Sequence, residues 1–345
     1  MNIKSVLTLI LIGTILAGCA SDSSSISNSN ETPEVEAAVE QRLEEAVTRD
    51  EDESVNEEER KEEQEDQKEV VQAQITEEPK ENAKEEQKDE AKDTSKEQQA
   101  EQKVEQKTKP KSDQRSASLP NAKKAWWFKR NSDHLPPGAQ SEIDLTKYDA
   151  YYLGNTNEKR VYLTFDEGYE NGYTSKILDI LKEHNVQAAF FVTKPYIKSQ
   201  PDLIKRMVNE GHIVGNHSVT HPSLPDKTDE EVEYEILETA RYFEEITGTS
   251  MPLYFRPPAG EYSERTLQIT KDLGYKTIFW SMAYKDWDVN NQPGKQAAYE
   301  HIVQNHHPGA IILLHAVSSS NTEALGDMLK YLKDQGYIFA SLDEL

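Results

Sequence analysis

Seven short apolar runs, spaced by stretches of helical periodicity, constrain this chain more than any other feature. They are VYLTF (161–165), QAAFFVT (187–193), HIVGN (212–216), LYFRP (253–257), KTIFWS (276–281), AIILLH (310–315) and YIFASL (337–342). Between them lie TSKILDILKEH, QPDLIKRMVNE, DEEVEYEILETARYFEEIT, ERTLQITKDLG, KQAAYEHIVQN and NTEALGDMLKYLKDQG. Each repeats apolar residues every three or four positions, as an amphipathic helix does. Strands alternating with helices predict parallel strands with right-handed crossovers. The units fall short of eight, so a barrel would be smaller or more irregular than an eightfold one. A doubly wound open sheet satisfies the same pattern.

In either fold the functional site sits at the carboxyl ends of the strands. Asp166 and Glu167 follow the first run, His217 the third, Arg256 ends the fourth, Asp286 comes after the fifth, and His315 ends the sixth. Adjacent carboxylates repel and cost solvation when buried, so a metal, a cation or exposure to water must offset them. HSVTH sets His217 and His221 four apart, on one face if the loop makes a helical turn. Two imidazoles and a carboxylate suit a hydrolytic zinc or similar divalent ion with an open position; a surface helix explains HxxxH equally simply. Arg256 is costly to bury unless it faces an anion, and Asp166 is the evident partner, in catalysis or as a structural brace.

Together TFDEG (164–168), HSVTH (217–221), RPPAG (256–260), WSMAYKDW (280–287) and LLH (313–315) resemble, in order, the five motifs of the polysaccharide deacetylase, or NodB-homology, family. Flanking stretches such as AWWFKRN, YENGYT and HAVSSSNTEAL are similar to its delta-lactam-biosynthetic branch, whose members deacetylate N-acetylmuramic acid in peptidoglycan. The resemblance implies a distorted (β/α) barrel of about seven parallel strands that hydrolyses a glycan acetamide. It implies Asp166 as general base oriented by Arg256, and His315 as general acid oriented by Asp286. It also implies a divalent metal, zinc first with cobalt, manganese or magnesium as alternatives, on Glu167, His217 and His221. The backbone N–H of Ala259 is a candidate oxyanion donor, and Trp287 a candidate wall for an acetyl pocket.

Two residues depart from the family pattern. Glu167 stands where an aspartate is usual, and the extra methylene alters metal geometry. Ala259 replaces an aromatic or basic residue and brings no charge toward a lactyl carboxylate. The second departure leaves an N-acetylglucosamine deacetylase, on peptidoglycan or another exported glycan, as the nearest alternative. An inactive glycan-binding lipoprotein is the non-enzymatic one.

The preceding residues are different in kind. Residues 1–18 carry Lys4 and a short apolar run, too short for a comfortable membrane span, and read as an export signal. LAGC then resembles a lipobox, implying lipid on Cys19, the only cysteine. Residues 19–119 are rich in Glu, Gln, Lys and Asp and read as a disordered acidic tether spanning roughly 50–60 Å. Residues 120–158 form a lead-in to a catalytic domain at 159–345. The expected location is the outer face of the cell membrane, with peptidoglycan strands as partner and a monomeric state. The net charge of −24 belongs mostly to the signal and tether, and no basic stripe points to nucleic acid. His184, His212, His301, His306 and His307 read as loop or helix-surface residues, EEVEYEILE as a solvated helix face, Trp280 as core, and Trp126 and Trp127 as packing for the lead-in.

Overall fold

The computed structural model describes residues 118–345, so the signal, Cys19 and nearly all of the acidic segment lie outside the described residues. The lead-in holds β1 (Lys124–Ala125) and β2 (Ala150–Tyr151). Then come β3 (Arg160–Glu167), α1 (Thr174–Glu183), β4 (Ala189–Val192), α2 (Lys194–Ser199), α3 (Pro201–Asn209) and β5 (Ile213–Asn216). Next are α4 (Asp229–Thr247), β6 (Tyr254–Phe255), β7 (Glu261–Tyr262), α5 (Glu264–Asp272) and β8 (Lys276–Ile278). The chain ends with α6 (Lys295–Asn305), β9 (Ala310–His315), α7 (Ser319–Asp334) and β10 (Ile338–Phe339).

All seven apolar runs contain strands, and they pair in parallel. The order is β10-β3-β4-β5-β6-β8-β2, with β9 also on β3. The two-residue edge strand β2 was not legible as an apolar run. A parallel bridge between Met282 and Ile312 brings the chain beyond β8 back to β9, so the sheet curls into a distorted, incomplete barrel. The parallel open sheet is thereby excluded.

Alternation along the strands divides the core into two layers. Val161, Leu163 and Phe165 of β3, with Ile312 and Leu314 of β9, pack outward on Ile177 and Leu181 of α1 and Leu325 and Met328 of α7. Tyr162 of β3, with Ile311 and Leu313 of β9, turns inward to an aromatic cluster with Trp126, Phe279 and Trp280. Trp126 stacks on Phe279 at 4.7 Å and donates its indole N–H to the Trp280 carbonyl at 2.7 Å. Its neighbours Lys124 and Ala125 pair antiparallel with β7, directly after RPPAG. The lead-in thus plugs the barrel beside a candidate motif.

Three of the histidines read as loop or helix-surface residues do lie in loops, but are buried there. His212 accepts the Ala188 N–H at Nδ1, and burial pushes its pKa down to about 4. His307 bonds Ser281 at 2.9 Å, and His306 caps the carbonyl end of α6. The polar run Gln304-Asn305-His306-His307 and the loop position of His212 carry no sign of these internal partners.

Candidate active site

The inward-facing positions of β3 and β9 converge where both strands end. Asp166 and His315 are register partners across the two strands. Asp166 Oδ1 accepts from Arg256 Nη1 at 2.8 Å, and its Oδ2 lies 3.5 Å from His217 Nε2. Arg256 is wholly buried. It also donates to Thr164 Oγ1 at 2.9 Å and to the Ile278 carbonyl at 3.1 Å, and its guanidinium lies 4.2 Å from the Phe191 ring centroid. A buried guanidinium fixed on four sides holds the Asp166 carboxylate in one orientation.

His217 Nδ1 faces the Arg256 carbonyl at 2.9 Å. A carbonyl only accepts, so the ring proton sits on Nδ1 and the Nε2 lone pair faces Asp166. Burial lowers the His217 pKa, against the pull of Asp166, and favours this neutral form. The His221 ring stands edge-on to His217, with centroids 4.7 Å apart.

The loop between these histidines is no helical turn: Ser218 and His221 have φ of 75° and 54°. It is held instead by Glu235 of α4. That carboxylate accepts the backbone N–H groups of Val219 and Thr220, both at 2.8 Å, and the Thr220 hydroxyl at 2.7 Å. EEVEYEILE is therefore not simply a solvated face, since Val232, Glu235 and Ile236 are buried. A helix-period count marks Val232 and Ile236 but not a carboxylate that caps a distant loop.

Glu167 goes elsewhere. β3 continues through Glu167, still paired with Val192, so its side chain leaves the strand on the face opposite Asp166. It is fully buried in the helix-facing layer, where Oε1 accepts from Thr174 Oγ1 at 3.2 Å. Thr174 in turn bonds Glu170, and Tyr196 bonds both at 3.2 Å. Burial, then the neighbouring Glu170, raises the Glu167 pKa well above the carboxylate range. Among the described residues no three His, Cys, Asp or Glu side chains gather to hold a metal ion. The expected Glu167–His217–His221 set is not assembled, because strand alternation separates adjacent side chains.

The acid side is built from β9 and the loop after β8. His315 Nδ1 lies 2.6 Å from Asp286 Oδ1, and the His315 backbone N–H donates to Oδ2 at 2.8 Å. Burial opposes the imidazolium, but Asp286 and then Asp166 outweigh it, and the His315 pKa lies above its ordinary value. Trp287 is buried beside it, with ring centroids 5.4 Å apart. Ala259 is buried with φ 50° and ψ 20°, a left-handed residue that breaks the short turn at Pro258–Gly260.

Two amides unmarked by the sequence brace this side. Gln292 donates to the Asp286 and Asp288 carbonyls at 2.7 and 2.9 Å and accepts from Ser318 Oγ at 2.6 Å. Asn321 of α7 bonds the Asp286 carboxylate directly. The arrangement places one carboxylate held by a cation opposite one imidazole biased toward its cation. That pairing suits proton removal and proton delivery across a single bond.

Known proteins resemble the chain over this region. Residues 153–278 match the polysaccharide deacetylase family. That stretch contains Asp166, Glu167, His217, His221 and Arg256, and ends before Asp286 and His315. The chain is 52% identical over 233 residues to the peptidoglycan-N-acetylmuramic acid deacetylase PdaA of Bacillus subtilis, covering 67% of this chain and 89% of that protein. A peptidoglycan-N-acetylglucosamine deacetylase of Bacillus cereus is 34% identical over 209 residues, covering 60% of this chain and 96% of that protein. The solved structure of Bacillus subtilis PdaA, a family 4 carbohydrate esterase, superposes with a TM-score of 0.64 at 53% identity. It covers 66% of this chain and 98% of that one.

Proposed function

The chain belongs to the polysaccharide deacetylase family, and we propose that the bond it hydrolyses is the acetamide of N-acetylmuramic acid in peptidoglycan. One observation carries the chemistry: Asp166 and His315 are register partners at the carboxyl ends of adjacent strands, the first fixed by Arg256 and the second by Asp286. In the proposed reaction Asp166 takes a proton from water as the water oxygen attacks the acetyl carbon. His315 gives its proton to the sugar nitrogen as the C–N bond breaks, because an amine does not leave as an anion. The products are acetate and a free amino sugar. The backbone N–H of Ala259 is the proposed donor to the carbonyl oxygen as it gains charge, and Trp287 the proposed wall beside the acetyl methyl.

Deacetylases of this family are generally metal-dependent. Because Glu167 faces the helix layer, the three-ligand set does not fit this chain, and the proton transfers assigned here belong to its own side chains.

The identity to a muramic acid deacetylase supports that sugar over glucosamine. The uncharged Ala259 side chain and the likeness to a glucosamine deacetylase favour the second reading, N-acetylglucosamine. Wall glycan stripped of stem peptides, treated with the protein and examined by mass spectrometry, separates the two. Acetyl loss from muramic residues supports the first; loss confined to glucosamine residues establishes the second. We also propose that lipid on Cys19 and the acidic segment hold this domain outside the cell membrane, on the strength of the LAGC sequence.

A further inference from the structure

Asn321 is a buried amide in the first turn of α7, with its backbone N–H on the Ser318 hydroxyl that caps the helix. Its side chain has no need of that turn for its own hydrogen bonds. Nδ2 donates to Asp286 Oδ2 and, at 3.4 Å, toward the His315 carbonyl, while Oδ1 accepts from the Tyr284 hydroxyl. A carboxylate can only accept, so the amide must turn its NH₂ end to Asp286 and leave its oxygen for Tyr284. Burial, and then Asp286, push the Tyr284 pKa far up, which keeps that hydroxyl a donor. The order of donation is thus fixed along one line, Tyr284 to Asn321 to Asp286.

The consequence lies at His315. With Oδ2 tied to Asn321 and to the His315 backbone, only Oδ1 remains for His315 Nδ1, and it sits at 2.6 Å. We propose that Asn321, oriented by Tyr284, is a positioning residue for the acid step: it fixes the Asp286 carboxylate so that His315 presents a protonated Nε2 to the leaving nitrogen. This inference rests on the reading of the site as an amide hydrolase. The charged and titratable groups facing His315 are Asp286 from the loop after β8, Asp166 from β3, Arg256 after β6, and His217 after β5. Of these, Asn321 touches only Asp286.

The test compares two substrates with the full chain: peptide-free peptidoglycan strands, whose amine must be protonated to leave, and an aryl acetate, whose phenolate leaves unaided. Asn321→Ala is expected to lower kcat on the glycan by roughly 10- to 100-fold, the scale for losing an outer partner of a working imidazole. KM stays unchanged and ester cleavage falls much less. The alkaline limb of the glycan kcat profile moves to lower pH, since a loosened Asp286 supports the imidazolium less. Tyr284→Phe, which removes one oxygen and leaves α7 untouched, shifts both readouts the same way by a smaller amount. Equal losses on amide and ester, or an unshifted alkaline limb in both variants, overturn the proposal. A wild-type chain that releases no acetate from the glycan overturns the functional reading instead.

Discussion

Asp166 and His315 are direct register partners on adjacent parallel strands, so both side chains leave the sheet on the same face at the same height. Their surroundings differ: Asp166 meets the Arg256 guanidinium and His315 meets the Asp286 carboxylate. This yields a pH prediction with a definite sign. The acid form of His315 is lost as pH rises through its pKa, which lies above the ordinary imidazole value. Deacetylation should therefore persist above the usual imidazole range and fall on the alkaline side. Asp286→Asn removes the main support and should bring that fall to lower pH, along with a large drop in kcat. A pH–rate profile of both forms checks it.

Arg256 is the sole cation paired with Asp166 among its described contacts, and it is fully buried. Arg256→Met leaves the carboxylate without its cation and removes one of the two hydrogen bonds of the Thr164 hydroxyl, which still donates to the Ile312 carbonyl. The expected destabilisation is about 3–5 kcal/mol, with loss of activity, measured by denaturant unfolding and acetate release. A variant as stable as the parent would show that Asp166 reorients to water at little cost.

Glu167 offers a sharper contrast. Since its carboxylate lies among Thr174, Glu170 and Tyr196 rather than with the imidazoles, Glu167→Gln should fold and keep activity within about threefold. Its response to a chelator and to added zinc should match that of the parent. Loss of activity that excess zinc restores would mean that this side chain reaches a metal after all.

The HSVTH loop depends on a residue of another element. Glu235→Ala removes three hydrogen bonds from Val219 and Thr220. It should cost about 1–3 kcal/mol and speed amide exchange at those two positions more than elsewhere. Uniform exchange rates would refute a local role.

These contrasts show what a linear reading could reach. The seven strands are legible because each lies in a compact apolar run, and the place of Asp166, Arg256, Asp286 and His315 at one rim because each ends or follows such a run. The displacement of Glu167 has a reason the sequence contains: adjacent strand residues face opposite ways, and β3 runs two residues further than its apolar stretch, through Asp166 and Glu167. Glu235, Gln292 and Asn321 were invisible, because a polar residue on a helix or loop carries no mark of the distant backbone or carboxylate it will meet. His212 and His307 were hidden likewise by partners far along the chain.

The LAGC reading has its own check. Cys19→Ser should abolish incorporation of labelled fatty acid and release the protein from the membrane fraction, with the deacetylase domain still active. Membrane retention without label would point to another anchor.

Acetate release from peptide-free peptidoglycan by the parent and by Asp166→Asn, followed by mass analysis of the sugars, is the most direct trial of the central claim. The account predicts acetyl loss from muramic residues with the parent and none with a variant that unfolds at the same denaturant concentration. Full activity in Asp166→Asn, or an inert parent, would contradict it.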